Sequence, residues 1–200
     1  HTLANLLCLN RHLISQDRLV HSGRWGYPAG EALPVRLGGQ VLGIVALGNI
    51  GRAVAAKALG LGLRVIAHDP YVQPEQLAGL DVRLVGLEEL LRTADYVSLH
   101  CPLTAETHHL IGAAQLALMK PGAFLINMSR GAVVDSRALY QALVNRTIAG
   151  AALDVLEQEP PPPDEPLLTL DNVILASHNA SVSDQAVEQM RRETARNVVV

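Results

Sequence analysis

The chain has 200 residues, of which 49% are hydrophobic and 18% charged, with a net charge of −3, as is ordinary for a globular α/β protein. No apolar run reaches the roughly 18 residues of a membrane helix, and the scattered basic residues and few aromatics argue against a nucleic-acid surface. The two cysteines, Cys8 and Cys101, form no disulfide framework, which favours a reducing cytoplasm. We therefore expect neither a membrane nor a nucleic acid as partner.

The first twenty residues carry leucines at helical intervals of three and four, which predicts a helix over 1–20. The glycine-containing segment 22–30 breaks this pattern and predicts an extended arm or loop. Within it, Trp25 would be a packing anchor, with a subunit interface as one possible place. Because the pattern is already helical at His1 and again at the last residue, we interpret the chain as a fragment of a longer protein.

After residue 40, short apolar segments alternate with helical patterns. The predicted strands cover 41–46, 64–67, 95–99, 123–127, 148–153 and 173–176. The first predicted helix after residue 40 begins near Asn49 or Ile50. The further predicted helices cover 87–92, 113–119, 136–145 and 181–200. This alternation predicts an α/β fold of the Rossmann type, a doubly wound parallel sheet that binds ligands at the carboxyl ends of its strands.

The segment 41–51, V-L-G-I-V-A-L-G-N-I-G, joins a buried strand to a helix through a glycine turn. Such a turn exposes the first N–H groups of the helix to a pyrophosphate. The fingerprint for this function is G-x-G-x-x-G, and here Ala46 stands at its first glycine, with Gly48 and Gly51 at the other two. The motif alone is a weak indication of a dinucleotide site.

Asp69 strengthens the dinucleotide hypothesis, because it follows the second predicted strand about 20 residues after the turn, where an acid binds the adenosine ribose. Its charge would repel a 2′-phosphate, and no arginine follows it immediately. We therefore predict NAD rather than NADP as the cofactor. The plain alternative is that Asp69 is a turn residue before Pro70.

Four further segments resemble the NAD-binding domain of the D-2-hydroxyacid dehydrogenase family. They are L-H-C-P-L-T (99–104), I-N-M-S-R-G (126–131), G-A-A-L-D-V-L-E-Q-E-P (150–160) and L-D-N-V-I-L-A-S-H (170–178). The resemblance covers nearly the whole chain in order. It implies an enzyme that transfers a hydride between NAD(H) and a D-2-hydroxy acid or 2-keto acid, and it leaves the substrate unidentified.

The resemblance also implies a catalytic set of three residues. Arg130 would bind the substrate carboxylate and polarise the neighbouring carbonyl, as a planar guanidinium can. His178 would be the acid in reduction and the base in oxidation, and Glu159 would orient its ring and raise its pKa. Taken singly, each has a plainer explanation: an arginine that caps a carbonyl, a solvated glutamate and a structural histidine.

By the same resemblance, the cofactor would be bound by the glycine turn, by main-chain groups after two later strands and by Asp154 at the nicotinamide carboxamide. The expected cofactor-binding residues are Gly48, Asn49, Ile50, Gly51, Asp69, Cys101, Pro102, Met128, Ser129, Arg130, Asp154 and His178. No metal site is expected. His108 and His109 are assigned to the surface, and because their adjacency puts them on different faces of a helix, they are a poor metal pair. Cys101 has no base motif beside it, which favours a buried apolar role.

The resemblance divides the chain into a leading helix and dimerisation arm (1–38), an NAD-binding domain (39–180) and a helix (181–200) that leads to a substrate domain mostly absent from this sequence. It implies a homodimer through the leading helix and arm. We expect the fragment alone to bind NAD but to convert little substrate. The resemblance places the active site in the cleft between the two domains, and the substrate domain that forms the opposite wall of this cleft is mostly absent.

Two departures and three alternatives remain open. Ala46 replaces a glycine, which raises a question of cofactor affinity. The segment 179–185 resembles the branch of the family that contains the C-terminal-binding protein corepressors and their bacterial relatives. However, the aromatic-containing segment of that branch is not reproduced here. The alternatives are an NAD(H)-sensing corepressor-like binding protein, another Rossmann enzyme such as an S-adenosylhomocysteine hydrolase-like protein, and a structural domain with a degenerate site.

Overall fold

A computed structural model of the chain describes residues 1–27 and 33–198, which form one seven-stranded sheet and its helices. The strands are β1 (Val41–Val45), β2 (Arg64–His68), β3 (Val82–Leu84), β4 (Tyr96–Leu99), β5 (Phe124–Asn127), β6 (Gly150–Leu153) and β7 (Val173–Leu175). The helices are α1 (Thr2–Arg11), α2 (Leu13–His21), α3 (Asn49–Gly60), α4 (Leu87–Thr93), α5 (Ala113–Leu118), α6 (Ser136–Val144) and α7 (Asp184–Val198). Short 3-10 helices cover Pro74–Leu77, Gly131–Val133 and Pro166–Thr169.

All strand pairs in the sheet are parallel, and the strand order is β3-β2-β1-β4-β5-β6-β7. The chain first adds strands on one side of β1 and then returns to add β4 on the other side. Sheets of this kind bind ligands in the crevice outside the carboxyl ends of the strands at this reversal. The predicted Rossmann-type fold is therefore confirmed.

Successive strand residues supply two hydrophobic cores, one on each face of the sheet. In β1, Leu42 and Ile44 cluster with residues of α1 and α3, while Val41 and Val45 cluster with residues of α4, α5 and α6. Gly43 faces α4, where a Cβ atom would lie 2.6 Å from Cδ2 of Leu90. This close approach explains a glycine inside a buried strand.

The leading segment forms two helices, so the prediction of a single helix over 1–20 is wrong. His12 has a φ of 53°, which ends α1 before α2 begins. Leu6 and Leu9 of α1 are buried against the sheet, whereas Leu19 is the buried residue of α2. Periodicity did not reveal the break because the apolar spacing continues across His12.

The side chain of Asn10 joins α1 to the sheet and to the chain that returns after the arm. Its Nδ2 atom donates to Oη of Tyr96 at 2.8 Å and to the carbonyl oxygen of Val35 at 3.1 Å. Trp25, which was predicted as a packing anchor, is 90% exposed. The rest of the predicted arm, 28–30, lies outside the described residues.

The unpredicted strand β3 and the later start of α7 both have local reasons. The strand β3 was not predicted, because three residues are too few for an alternating pattern. The last helix begins at Asp184, whereas the prediction began it at 181. Oγ of Ser183 accepts a hydrogen bond from the N–H of Ala186 and so caps the observed helix start. None of the helices in the described ranges is both long and apolar enough to cross a membrane.

Candidate active site

The residues predicted to bind cofactor or substrate follow the carboxyl ends of β1, β2, β4, β5, β6 and β7. In a parallel sheet these ends meet at one edge, which we call the carboxyl edge. The fold therefore brings segments that are distant along the chain to the same side of the molecule.

The glycine turn between β1 and α3 is open where a pyrophosphate would bind. Gly48 is the N-cap of α3, no side chain caps that helix start, and a Cβ atom at Gly48 would meet nothing within 4 Å. Gly51 is confined, because its Cβ would lie 2.3 Å from the carbonyl oxygen of Ala46. An uncapped helix start with glycines at these two places fits the pyrophosphate of a dinucleotide.

Ala46 has a φ of 74°, the left-handed region that glycine adopts freely and alanine does not. For a residue with a Cβ atom, this conformation costs about 1 kcal/mol or more. The question of cofactor affinity that Ala46 raised in the sequence is therefore also a question of backbone strain.

Asp69 holds the glycine turn from the end of β2. One carboxylate oxygen accepts the N–H of Leu47 at 2.8 Å, and the other accepts the N–H of Tyr71 at 2.9 Å. Each carboxylate oxygen has a second lone pair, so both can still accept a ribose hydroxyl. Asp69 is thus a turn residue whose carboxylate keeps acceptor capacity, and its contact with a cofactor stays a prediction.

The segment after β4 combines a buried thiol with an ordered loop. Cys101 is 5% exposed, and desolvation raises the pKa of its thiol, so the thiol stays protonated and is a poor nucleophile. Thr107 donates from Oγ1 to the carbonyl oxygen of Pro102 at 2.6 Å and fixes that carbonyl. The burial of the thiol agrees with the expected apolar role of Cys101.

Asn127, at the end of β5, shapes the loop that carries Arg130, and the sequence analysis missed it. Its Oδ1 accepts from the N–H and from Oγ of Ser129 at 3.0 and 2.8 Å, and its Nδ2 donates to the carbonyl oxygen of Arg130 at 2.9 Å. An asparagine directly after a strand and before a turn is the signal that could have revealed it.

Arg130 is exposed, and its Nη1 donates to the carbonyl oxygen of Ser129 at 2.7 Å. The next residue, Gly131, touches the loop after β6, since a Cβ atom there would lie 2.0 Å from the carbonyl carbon of Leu156. The loop of Arg130 therefore packs directly on the loop that leads to Glu159.

His178 and Glu159 form a pair, with Nδ1 of the imidazole 2.6 Å from one oxygen of the carboxylate. The other carboxylate oxygen accepts the N–H of Leu156 at 2.9 Å. Desolvation, the largest single influence, raises the pKa of Glu159, but the hydrogen bonds from His178 and Leu156 and the charge of His178 together bring it below its usual 4.5. The carboxylate is therefore ionised at neutral pH.

Asp154 holds the backbone around His178, which has a φ of 54°. The N–H of His178 donates to the carbonyl oxygen of Asp154 at 2.8 Å, and the N–H groups of Asn179 and Ala180 donate to its two carboxylate oxygens at 2.9 and 2.8 Å. Asp154 is only 2% exposed. The carboxylate of Asp154, which was predicted to bind the nicotinamide carboxamide, is thus engaged by the chain itself.

Of the predicted catalytic residues, Glu159 and His178 are in contact, while Arg130 makes no hydrogen bond or ion pair to either one within the described ranges. A second histidine–glutamate pair lies on the same edge, with Nε2 of His109 2.5 Å from Glu157. His108 and His109 lie in a turn with stacked rings 4.0 Å apart, so the assumption that they point apart from a helix is wrong.

Comparison with known proteins agrees with the Rossmann-type fold. The sequence model of the NAD binding domain of the D-isomer specific 2-hydroxyacid dehydrogenases matches residues 3–180. A glyoxylate reductase of Korarchaeum cryptofilum is 46% identical over 98% of the chain and 60% of its own length, and a D-3-phosphoglycerate dehydrogenase of Methanocaldococcus jannaschii is 38% identical over 99% of the chain and 40% of its own length.

Among solved structures, a D-lactate dehydrogenase of Aquifex aeolicus complexed with NAD and lactic acid superposes with a TM-score of 0.91. It is 35% identical, and the match covers 99% of this chain and 63% of that one. The chain thus spans about 60% of the length of the glyoxylate reductases that it matches.

Proposed function

Because the chain belongs to the D-isomer specific 2-hydroxyacid dehydrogenase family, whose NAD-binding domain it contains, we propose that the whole protein is an NAD-dependent oxidoreductase. Its reaction transfers a hydride between NAD(H) and a D-2-hydroxy acid or 2-keto acid pair. The observation that carries the proposal is the contact of His178 with Glu159 at 2.6 Å, on the same sheet edge as an uncapped glycine turn.

His178 is the acid–base residue of this proposal. The ionised Glu159 carboxylate accepts a hydrogen bond from Nδ1–H of His178, which leaves Nε2 to face the substrate. When bound, NADH supplies the hydride to the carbonyl carbon. In reduction, the π-electron pair of the C=O bond moves onto the oxygen, and His178 gives its Nε2 proton to that oxygen to form the hydroxyl group. In oxidation, His178 takes the hydroxyl proton back.

Arg130 binds the substrate carboxylate. Its guanidinium carries five N–H donors, and the one bond to the carbonyl oxygen of Ser129 leaves the planar fork able to take a carboxylate. The contact of Gly131 with Leu156 keeps this arginine next to the loop of Glu159. Its positive charge would also stabilise negative charge on the keto oxygen in the transition state.

The cofactor is held mainly by backbone groups in this proposal. The pyrophosphate lies on the start of α3, at Gly48, Asn49, Ile50 and Gly51, and Asp69 accepts from the adenosine ribose. Later backbone contacts come from Cys101, Pro102, Met128 and Ser129, with Asp154 and His178 at the nicotinamide. The carboxylate of Asp69 disfavours a 2′-phosphate, so the proposal prefers NAD over NADP.

The fragment by itself binds NAD(H) in this proposal and turns over little, because the match to longer relatives leaves the opposite wall of the cleft to the rest of the protein. The whole protein is proposed to be a cytoplasmic homodimer. The two free cysteines, one of them buried, are suited to a reducing compartment.

The test is a panel of glyoxylate, hydroxypyruvate, pyruvate and bulkier 2-keto acids with NADH and NADPH, measured on the whole protein. We expect reduction of at least one keto acid, with NADH the better cofactor. His178→Ala and Arg130→Ala should each lower kcat/KM by about 100-fold, the usual size of a general-acid or electrostatic contribution.

The matched control is His109→Ala, which removes the other histidine–glutamate pair of the carboxyl edge and should leave kcat/KM within a few-fold. Near-normal rates for His178→Ala would remove that residue from the mechanism. A whole protein that binds NADH and reduces no keto acid would point to the NAD(H)-sensing alternative.

A further inference from the structure

The glycine turn is held by a side chain that lies outside the fingerprint. Arg52 follows Gly51 in the first turn of α3, and its Nε donates to the carbonyl oxygen of Leu47 at 2.9 Å. Its Nη1 donates to the carbonyl oxygen of Gln76 at 2.6 Å. Helical side chains tilt toward the helix N-terminus, which explains how Arg52 reaches back to the turn.

We propose that Arg52 is a positioning residue for NAD(H), which keeps the turn 46–48 in the shape that binds the pyrophosphate. The peptide unit between Leu47 and Gly48 is planar and trans, so its carbonyl oxygen and its N–H point in opposite directions. Holding the carbonyl oxygen of Leu47 therefore also sets the direction of the Gly48 N–H. That N–H belongs to the N-cap residue of α3, where no side chain competes with a ligand.

The turn needs this restraint because Ala46 has a φ of 74°. Strained backbone of this kind persists only where neighbouring contacts determine it. The N–H of Ala46 donates to the carbonyl oxygen of His68, and the N–H of Leu47 donates to the carboxylate of Asp69. These two bonds fix the first half of the turn. The bond from Arg52 fixes the second half, the half nearer the helix start.

The second bond of Arg52 connects the turn to the ribose side of the site. Gln76 belongs to the 3-10 helix Pro74–Leu77, which follows Asp69 along the chain. Asp69 accepts a hydrogen bond from the N–H of Leu47, and Arg52 donates one to the carbonyl oxygen of the same residue. The pyrophosphate turn and the segment after β2 are thereby joined into one unit.

The geometry of the guanidinium, rather than its charge, is the feature that matters. A cation in the first turn of a helix is opposed by the helix dipole, so charge alone does not explain an arginine at this place. A planar fork can donate to two carbonyl oxygens in fixed directions, whereas the ammonium of lysine is a single point on a flexible stem. Arg52→Lys therefore separates the two explanations.

The experiment measures NADH dissociation constants and NADH kinetics on the whole protein. Arg52→Met and Arg52→Lys should both weaken NADH binding about tenfold, the loss expected of a charge-assisted hydrogen bond, and raise KM for NADH more than they lower kcat. The matched control is Arg64→Met, because Nε of Arg64 also donates to a carbonyl oxygen, that of Gly39, at the opposite end of the sheet. The NADH dissociation constant of Arg64→Met should stay within about twofold of the wild-type value, since Arg64 lies far from the glycine turn.

The same variants are then made with Ala46→Gly. Glycine adopts the positive φ without strain, so the loss caused by Arg52→Met should shrink to about threefold or less in that background. Thermal melting identifies variants that fail to fold, and Arg52→Lys with Ala46→Gly decides the question if Arg52→Met is one of them.

Besides equal NADH binding by the wild type and Arg52→Met, two results would overturn the inference alone. One is lysine restoring wild-type affinity, and the other is Arg52→Met losing as much affinity in the Ala46→Gly background as in the wild-type background. The inference rests on the proposed NAD site. A wild-type protein that does not bind NADH would overturn both, whereas a wild-type protein that binds NADH no better than Arg52→Met overturns only the role of Arg52.

Discussion

Ala46 and His178 lie on the carboxyl edge with positive φ angles, and an aspartate holds the turn around each of them. Asp69 accepts the N–H of Leu47, and Asp154 accepts the two N–H groups that follow His178. A carboxylate that accepts backbone N–H groups can offset the conformational cost of such a turn. The two acids expected to bind the cofactor therefore also shape the backbone that surrounds it.

His100 is a partly buried histidine directly after β4 that the proposed mechanism does not use. Its Nε2 lies 2.9 Å from Oγ of Ser98, and its buried Nδ1 has no hydrogen-bond partner among the described residues. Desolvation lowers the pKa of His100 from its usual 6.5 to about 4. The imidazole is therefore neutral in the folded protein at physiological pH.

This shift predicts a loss of stability in mild acid. Between pH 6.5 and about 4 the unfolded chain binds a proton at His100 that the folded chain does not, so the free energy of unfolding falls as the pH falls through this window. From about pH 7.5 to about pH 4.5 the wild type should lose about 2–3 kcal/mol more than His100→Gln. Urea unfolding at the two pH values measures this difference.

The control for this prediction is His21→Gln, which removes an exposed histidine of α2. It should lose the same stability as the wild type over this pH range. If the wild type and His100→Gln lose the same free energy of unfolding, the desolvation of His100 does not cause the loss of stability in mild acid.

Among the elements, the contact between the loops after β5 and β6 decides where Arg130 stands relative to Glu159. The contact depends on Gly131, because a Cβ atom there would overlap the backbone of Leu156 and Glu157 at 2.0–2.4 Å. Backbone atoms cannot move aside as the end of a flexible side chain can. The two loops must separate if the glycine is replaced.

Gly131→Ala should therefore reduce the free energy of unfolding by about 1–3 kcal/mol, as overpacking does, and lower kcat/KM by moving Arg130 away from the pair. Gly122→Ala is the control, since a Cβ atom at that exposed turn would meet nothing within 4 Å. Urea unfolding and steady-state rates on both variants check the prediction. Wild-type rates for Gly131→Ala would mean that this loop contact does not position Arg130.

On the scale of the whole molecule, the leading segment presents apolar side chains that nothing in the described ranges covers. Leu13, Trp25, Leu33 and Val35 are 55%, 90%, 75% and 51% exposed. Large exposed apolar patches are rare on monomeric proteins and commonly mark interaction sites. These side chains support the proposed two-fold dimer through α1, α2 and the arm.

We expect light scattering to show a dimer at micromolar concentration, and Leu13→Asp with Trp25→Ser to shift it to monomer by placing charge and polarity in the contact. Leu168→Asp is the control, because that leucine is 43% exposed in the 3-10 helix Pro166–Thr169, away from the leading segment. A wild-type monomer, or equal dissociation by the control, would contradict this placement of the interface.

The sequence by itself determined the alternation of strands and helices, the glycine turn and the order Arg130, Glu159 and His178. These features are local: they depend on residues two to four positions apart, or on short motifs whose spacing is written in the chain. Two short features were missed because prediction relied on such local patterns. The apolar spacing continues across the break at His12, and the three residues of β3 are too few to show an alternation.

Only the tertiary structure decided the sign of φ at Ala46 and His178, the loop contact at Gly131 and the reach of Arg52 to Leu47 and Gln76. Each depends on atoms that are distant along the chain or on a backbone angle that a residue type permits without requiring. The helix-and-strand pattern therefore specifies which residues arrive at the carboxyl edge. The packing of the loops against one another specifies the geometry in which they meet.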